Sequence, residues 1–149
     1  EQGLIVSRSI GEQRPDTKTL LEGPYRWAMR QTGAGAQRFL LEVLSQYSVN
    51  VDRLNTVCTA LSEREAAASI AMNQADAAPG ARAAAKEYGL EFIPFGWESF
   101  DLALPRNIWF RRLFQDLINR LRSADCLAMG ERLGGYDLSE AGELVWGDE

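Results

Sequence analysis

The residues of this chain whose types and spacing best suit binding chemistry lie in a glycine-rich turn. Residues 25–44 read YRWAMRQTGAGAQRFLLEVL. Gly33 and Gly35 allow a tight bend and let a ligand approach the backbone closely. A helix that begins directly after such a turn points unpaired N–H groups, and the positive end of its dipole, at the space in front of it. The turn therefore predicts a site for an anion or a strongly polar group, with a helix cap that holds no ligand as the alternative.

Hydrophobic periodicity predicts the elements that must position this turn. Large apolar side chains stand at every second position from Tyr25 to Met29, which is the period of a strand. From Phe39 to Leu44 the apolar side chains recur at helical spacing. The turn is therefore expected to connect the end of a strand to the start of an amphipathic helix.

Composition and motif spacing argue against several classes of protein. Gln37 and Arg38 stand where a nucleotide-triphosphate loop needs Lys and Ser/Thr, and Arg38 stands where a dinucleotide fingerprint needs a small residue. The 149 residues contain no histidine, which excludes Ser-His-Asp and Cys-His catalysis and every His-containing metal site. The net charge is −5 without a basic run, which argues against direct nucleic-acid binding by this segment. The sequence shows no stretch of about 18 apolar residues, so we expect no membrane span.

Catalysis is the function that the sequence favours least. Glu98 and Asp101, which lie beside Trp97, form the best acid-base pair, but alternation along an extended segment places them on opposite faces. The two thiols, Cys58 and Cys126, are too few for a structural zinc site and leave one disulfide as an option. We therefore expect no enzyme, no metal site and no cofactor other than a bound ligand.

Strands and helices alternate along the chain, which predicts an α/β fold with a mostly parallel sheet and flanking helices. The expected strands are residues 3–9, 25–30, 56–61, 91–95 and 99–104. Residues 76–81 are expected to form a short strand or a turn, and residues 136–146 a turn with a strand as a further option. The expected helices are residues 16–21, 36–48, 63–74, 82–88 and 124–133, with a further helical segment from residue 108 that has one apolar face. Asp16 is expected to cap the first of them, and Ser62 with Glu65 forms a capping box at the start of the third. The chain has the size and apolar fraction of one ordinary domain with a sizeable core.

The candidate ligand-binding residues share a position at predicted strand-to-helix junctions. In α/β sheets ligands bind beyond the carboxyl ends of the strands, so that one pocket could hold the whole set. The set comprises Arg30, Gly33, Ala34, Gly35, Ala36, Gln37 and Asp76. For Asp76, ordering of the neighbouring loop is the alternative role.

Five segments, taken in order, resemble a known family over nearly the whole chain. They are QGLIV at 2–6, MRQTGAGAQRFL at 29–40, ADAAPGARAAA at 75–85, GLEFIPFGWESFDLALP at 89–105 and GGYDLSEAG at 134–142. The succession is similar to the substrate-binding domain of the periplasmic-binding-protein-like family, type II, which includes molybdate- and tungstate-binding proteins. Such domains occur in molybdate-type regulators and in molybdopterin-biosynthesis fusion proteins.

The resemblance implies two α/β lobes joined by two crossing strands, with a ligand held in the cleft. Residues 11–94 would be one complete ligand-binding lobe. Residues 1–10 and 95–149 would supply the crossing strands, at 3–9 and 99–104, and part of the other lobe. Sheet edges left exposed by an incomplete lobe favour dimerisation or strand exchange, so a homodimer is one expected partner state. An ion pair at the hinge is the expected role of Glu98.

The resemblance also implies a module that binds and senses a small ligand, expected to be an anion. The leading hypothesis is the effector domain of a cytoplasmic transcriptional regulator or molybdenum-related protein, which would contact nucleic acid only through an upstream domain. The alternative is the periplasmic solute-binding receptor of an ABC transporter. Where the family usually has Gly-Ser-Gly-Thr-Arg, residues 33–37 read GAGAQ, without the two hydroxyls and the arginine. The expected ligand is therefore an oxyanion such as molybdate or tungstate with charge supplied by Arg30 or Arg38, or else an organic acid or another small metabolite.

Overall fold

The computed structural model describes residues 1–145. The chain separates into two compact units, Glu1–Glu98 and Ser99–Glu149. The first unit is a five-stranded sheet with helices, whereas the described part of the second contains helices and turns. No helix among residues 1–145 is long and apolar enough to cross a membrane.

The first unit alternates strands with helices along its length. Its strands are β1 (Gln2–Val6), β2 (Arg26–Arg30), β3 (Asn55–Ala60), β4 (Ala77–Ala81) and β5 (Glu91–Gly96). Its helices are α1 (Arg8–Gln13), α2 (Thr17–Glu22), α3 (Gly35–Gln46), α4 (Glu63–Ala71) and α5 (Arg82–Glu87), with a 3₁₀ turn at Val51–Arg53.

Four strands of the sheet run in one direction and β1 runs in the other. The strand order is β3-β2-β4-β1-β5. Strand β2 is parallel to both β3 and β4, whereas β1 lies antiparallel between β4 and β5. Parallel neighbours need long crossover connections, which α3 and α4 provide. The predicted α/β fold with a mostly parallel sheet is confirmed.

The core forms on both faces of the sheet because side chains alternate along the strands. On β1, Leu4 and Val6 belong to one apolar cluster and Ile5 to the other. The first cluster contains leucines of α2 and α3 together with Trp27, which is fully buried. The second cluster is built mainly from alanines of β4, α4 and α5. The alanine-rich sequence of these helices therefore supplies a second packed face.

Side-chain caps fix the start of two helices as the sequence predicts. Asp16 accepts a hydrogen bond from the Thr19 backbone N–H at 2.9 Å and begins α2. Ser62 accepts from the Glu65 N–H at 3.1 Å, while the Glu65 carboxylate accepts from the Leu61 N–H at 2.7 Å. These bonds satisfy donors that a helix start leaves unpaired.

The second unit contains α6 (Arg106–Trp109), α7 (Arg112–Leu121) and α8 (Ala124–Leu133), followed by turns. The Arg122 guanidinium donates to the carbonyls of Ala141 and Gly142, both at 2.9 Å. These two bonds hold the turns after α8 to the end of α7. Among residues 99–145, Ile118 is the one large apolar residue that is buried.

Some boundaries differ from the prediction, and one predicted strand is wrong. Residues 99–104 form no strand, although their apolar side chains alternate. Alternation alone does not make a strand, because the backbone groups of a strand need a paired neighbouring strand. Phe100 is 91% exposed, so its apolar side chain packs against no such neighbour. The strand predicted at 3–9 ends at Val6 because α1 begins at Arg8.

The helical segment predicted from residue 108 is two helices, because Arg111 is extended between them. The turn and strand considered for 136–146 are turns in the described part, and Trp146 lies outside it. The assignment of residues 11–94 to one lobe, and of 1–10 and 95–149 to crossing strands and another lobe, stays a prediction.

Candidate functional site

The carboxyl ends of three parallel strands meet at one edge of the first unit's sheet. Strand β2 ends at Arg30, β3 at Ala60 and β4 at Ala81, and each leads into a helix, α3, α4 or α5. We call this side of the sheet the carboxyl edge and the opposite side, where β2 and β4 begin, the amino edge. The carboxyl edge gathers helix N-termini, which favour negatively charged groups.

The glycine-rich turn at the carboxyl edge is held by hydrogen bonds within itself. The Gln37 side-chain oxygen accepts from the Arg30 backbone N–H at 2.9 Å, so it ties the end of β2 to the first turn of α3. The Ala34 N–H donates to the Gln31 carbonyl at 3.2 Å. Gly33 has a φ of +89° with open space around the position of a Cβ, so the turn needs glycine there for its backbone conformation.

The first turn of α3 retains unpaired backbone donors. Its N-cap is Ala34, whose side chain cannot accept a hydrogen bond, and no side chain caps the helix. Within residues 1–145, the N–H groups of Gly35, Ala36 and Gln37 donate to no protein acceptor. Helix α4 differs because Ser62 and Glu65 cap it. Of the N-termini of α3 and α4, that of α3 is therefore the one whose backbone donors are open to an external acceptor.

Arg30 places a largely buried guanidinium at the same edge. Its side chain is 9% exposed. Its Nε donates to the Ala60 carbonyl at 3.3 Å, and its Nη1 lies 3.9 Å from Glu63 Oε1, which is beyond hydrogen-bond distance. A guanidinium has five N–H donors, and buried charges are normally paired. Arg30 thus has spare donors and an incompletely compensated charge.

Two further side chains at the carboxyl edge were not among the predicted ligand-binding residues. The Gln31 amide nitrogen donates to the Leu61 carbonyl at 3.2 Å, while its oxygen is buried without a partner in the described chain. The Glu98 carboxylate lies 3.6 Å from Arg38 Nη2 and next to the first turn of α3. The position of Gln31 directly after the strand was a usable sequence signal. The position of Glu98 gave no such signal in the sequence, because only the folded sheet brings β5 beside α3.

Charged groups of both signs occupy this part of the structure. The Glu63 carboxylate lies 3.9 Å from Arg30 Nη1, and the Glu98 carboxylate lies 3.6 Å from Arg38 Nη2. Arg82 forms an ion pair with the Glu1 side chain and lies over the Phe92 ring, 4.8 Å from its centroid. Carboxylates therefore stand close to the donors of the carboxyl edge.

Asp76 does not lie with the other predicted site residues. It immediately precedes β4 at the amino edge, where its carboxylate accepts from the Arg26 backbone N–H at 2.8 Å, Nε at 3.0 Å and Nη2 at 2.8 Å. These hydrogen bonds are the main reason that the pKa of Asp76 is lowered. The expectation that one pocket holds all seven residues is wrong, because the start and the end of a strand lie at opposite edges. Asp76 orders the neighbouring chain, which was its alternative role.

The remaining predicted residues are contiguous at the carboxyl edge: Arg30, Gly33, Ala34, Gly35, Ala36 and Gln37. Whether they bind a ligand stays a prediction. A separate cavity of about 270 Å³ is lined by other residues, among them Phe39, Val43 and Phe95. No cluster of three or more Cys, Asp or Glu side chains in the described chain is arranged to hold a metal ion, and Cys58 and Cys126 are both free.

A mostly parallel sheet whose strands lead into helix N-termini at one edge is typical of α/β ligand-binding domains. Residues 1–122 match the PBP superfamily domain, so the chain belongs to that superfamily. The resemblance to periplasmic-binding-protein-like domains is thereby confirmed at the level of the superfamily. Domains of this kind bind small ligands.

A curated relative is the uncharacterized protein YvgK of Bacillus subtilis (strain 168). The two sequences are 29% identical over 145 residues, which is 96% of this chain and 46% of the relative. The chain therefore spans about half the length of that protein. No solved structure matches the chain.

Proposed function

We propose that the first unit binds a small anion at the carboxyl edge of its sheet. The observation that carries this proposal is the guanidinium of Arg30, which is 9% exposed, donates one hydrogen bond, and lies 3.9 Å from Glu63 as its closest carboxylate. A buried cation without a hydrogen-bonded counter-ion favours an incoming negative charge. The Arg30 backbone N–H is bonded to Gln37 in the first turn of α3, while its guanidinium lies beside Ala60 and Glu63 at the same edge of the sheet.

The donors at this edge are sufficient for a small ligand with several acceptor oxygens. Gly35, Ala36 and Gln37 contribute three unpaired N–H groups, and the guanidinium of Arg30 contributes more. Each charge-assisted hydrogen bond contributes roughly 1.5–3 kcal/mol. Three or four such bonds give roughly 4.5–12 kcal/mol before the cost of association, so the expected affinity is micromolar at its strongest.

The class of anion follows from the resemblance and from the departures of the turn. Family resemblance favours molybdate or tungstate, whereas the loss of two hydroxyls and one arginine from residues 33–37 removes donors that a tetrahedral oxyanion would use. A small organic acid places fewer acceptors in the turn and is the other candidate ligand. The choice between these two classes is the subject of the experiment below.

We further propose that binding serves sensing within a longer protein, without catalysis. The chain spans 46% of its relative YvgK, and the resemblance favours the effector domain of a regulator. A ligand changes the conformation of such a domain only if it binds one conformation more tightly than another. The absence of histidine and the engagement of Glu98 with Arg38 support a binding role.

A thermal-shift and calorimetric screen of the full chain tests the proposal. The ligands are molybdate, tungstate, sulfate, phosphate, acetate and succinate, measured on the wild type and on Arg30→Gln. A ligand at a hundred times its Kd adds roughly 2.7 kcal/mol to the free energy of unfolding, which is a readily measured shift. We expect stabilisation by one of the two anion classes and its loss in Arg30→Gln.

The matched control is Arg64→Gln. Arg64 lies in α4 and pairs with Glu87 at 3.0 Å on the exposed surface. Arg64→Gln removes the same charge as Arg30→Gln without touching the turn, so ligand binding should be unchanged. Equal stabilisation of the wild type and Arg30→Gln, or no stabilisation by any of the six anions, would contradict the proposed function.

A further inference from the structure

We propose that the Glu98 carboxylate is an internal competitor for the anion site at the first turn of α3, and that it selects against doubly charged anions. The inference rests on the proposed function, since it concerns the same site. It adds a specificity-determining residue that lies outside the turn, on the segment that follows β5.

The position of the carboxylate is fixed by its distance to Gly35, the first residue of α3. A Cβ at Gly35 would lie 3.1 Å from Glu98 Oε1 and 3.4 Å from Oε2. The Cα–Cβ bonds of a helix tilt toward its N-terminus, so a group at this distance stands beside the first turn. Glycine at 35 therefore leaves the room that the carboxylate occupies.

Electrostatics explains why a carboxylate is stable at this position. The first turn of α3 has no side-chain cap, and the positive end of a helix dipole attracts negative charge. Arg38 Nη2, one turn along the same helix, lies 3.6 Å from Glu98 Oε1. Glu98 thus supplies part of the negative charge that the helix start favours, without donating or accepting a hydrogen bond within the described chain.

The spare donors of Arg30 indicate that the carboxylate of Glu98 does not complete the site. The Arg30 guanidinium is 9% exposed, and its hydrogen bond is to the Ala60 carbonyl. The edge therefore retains donors for a second anion while one carboxylate already faces α3. An anion that enters must move Glu98 aside or bind against its charge, and the repulsion doubles when the anion carries two charges.

This competition predicts an unusual direction of change for the loss of a charged side chain. Removing the charge of Glu98 should tighten anion binding, whereas loss of a ligand-binding or structural residue would weaken it. A charge beside a helix N-terminus changes an affinity by about twofold to thirtyfold. We therefore expect Glu98→Gln to bind sulfate and molybdate about tenfold more tightly, and acetate about threefold more tightly.

The experiment compares the wild-type chain with Glu98→Gln and Glu42→Gln. Glu42 is the matched control because its carboxylate also lies 3.6 Å from Arg38, at Nε, but in the second turn of α3. Isothermal titration with sulfate, molybdate and acetate gives the three Kd values of each protein. Backbone amide spectra without ligand report whether Gly35 and Ala36 shift in Glu98→Gln and stay in place in Glu42→Gln.

Tighter binding of the dianions by Glu98→Gln alone, with shifts at Gly35 and Ala36, would support the inference. Binding by the wild type that is unchanged or weaker in Glu98→Gln would overturn it and leave the proposed function intact. Equal tightening in Glu42→Gln would also overturn it, because the effect would then be one of overall charge. Binding of none of these anions by any of the three proteins would overturn both proposals.

Discussion

The two edges of the sheet use the same chemical groups in opposite ways. At the amino edge, Arg26 and Asp76 form two parallel hydrogen bonds, and Arg26 also donates to the carbonyl and side chain of Asn73. At the carboxyl edge, Arg30 donates one hydrogen bond, and the first turn of α3 is uncapped. One edge is saturated and the other retains donors, although each contains an arginine of the same strand.

This difference distinguishes Arg26, whose charge is paired within the fold, from Arg30, which keeps unused hydrogen-bond donors. The Arg26 guanidinium is matched to a carboxylate in the bidentate geometry that such pairs prefer. The Arg30 guanidinium is more buried than that of Arg26, with 9% against 37% of the side chain exposed, yet it has fewer partners. Burial normally demands more compensation, and the deficit at Arg30 is the basis of the ligand site proposed above. Variants at the two edges should therefore affect different measurements.

The largest expected effect is the loss of the amino-edge carboxylate. Asp76→Ala should lower the free energy of unfolding by about 2–3 kcal/mol, because it leaves the Arg26 N–H and guanidinium without their acceptor. Asp76 is 23% exposed, so water replaces only part of the loss. Urea denaturation measures the change, with Asp116→Ala in an exposed pair as the control. Anion binding should be retained, and its loss would show that the edges are not separate.

Acid should remove the same contribution without a mutation. Hydrogen bonds from Arg26 lower the pKa of Asp76 from its ordinary value of 3.8, against the opposing effect of burial. A lowered folded-state pKa gives stability that is present above the unfolded pKa and lost as the pH falls through the folded one. The stability difference between the wild type and Asp76→Asn should be constant from about pH 5 to 7 and shrink below about pH 4. A difference that persists unchanged at about pH 3 would contradict this.

Much of the first unit could be predicted because its signals are local. The capped starts of α2 and α4 and the alternation in β2 each require only neighbouring residues. The strand predicted at 99–104 failed because alternation does not say whether a partner strand is present. Periodicity also identified an apolar face in α7 without showing what it packs against, and Leu113 is 84% exposed.

Only the contiguous part of the candidate site could be placed from the sequence. Arg30 and the turn after it are adjacent in sequence, so a local pattern predicts that they lie together; ligand binding by them stays a prediction. Asp76 directly precedes β4, so it lies at a helix-to-strand junction and therefore at the amino edge. Glu98 reaches α3 only because β5 pairs with β1. This pairing brings together residues about sixty positions apart, so no local spacing in the sequence indicates it.

At the carboxyl edge, the shape of the turn can be tested separately from its charge. Gly33→Ala should lower the free energy of unfolding by about 1–2 kcal/mol, because φ at this residue is +89°. Packing cannot be the cause, since nothing lies within 4 Å of the position of a Cβ. Anion affinity should fall as well, because the turn aligns the donors of α3. Thermal unfolding and anion titration check both effects, and Ala83→Gly in α5 would show the cost of an ordinary helical alanine-glycine exchange.

The smallest effect on the free energy of unfolding is expected from capping the open start of α3. This change also tests the difference between the two edges most directly. Ala34 has the extended backbone of an N-cap, with φ −69° and ψ 135°, so Ala34→Asn and Ala34→Asp should cap α3 and raise the free energy of unfolding by about 0.5–1 kcal/mol.

Both substitutions occupy a backbone donor of the first turn, and aspartate also adds a negative charge. Anion binding should therefore weaken in Ala34→Asn and weaken further in Ala34→Asp, as measured by titration with molybdate and acetate. A stabilised protein with undiminished anion affinity would show that the donors of α3 are not used for binding. Arg30 would then be the remaining donor at this edge, and the difference between the edges would reduce to that of two arginines.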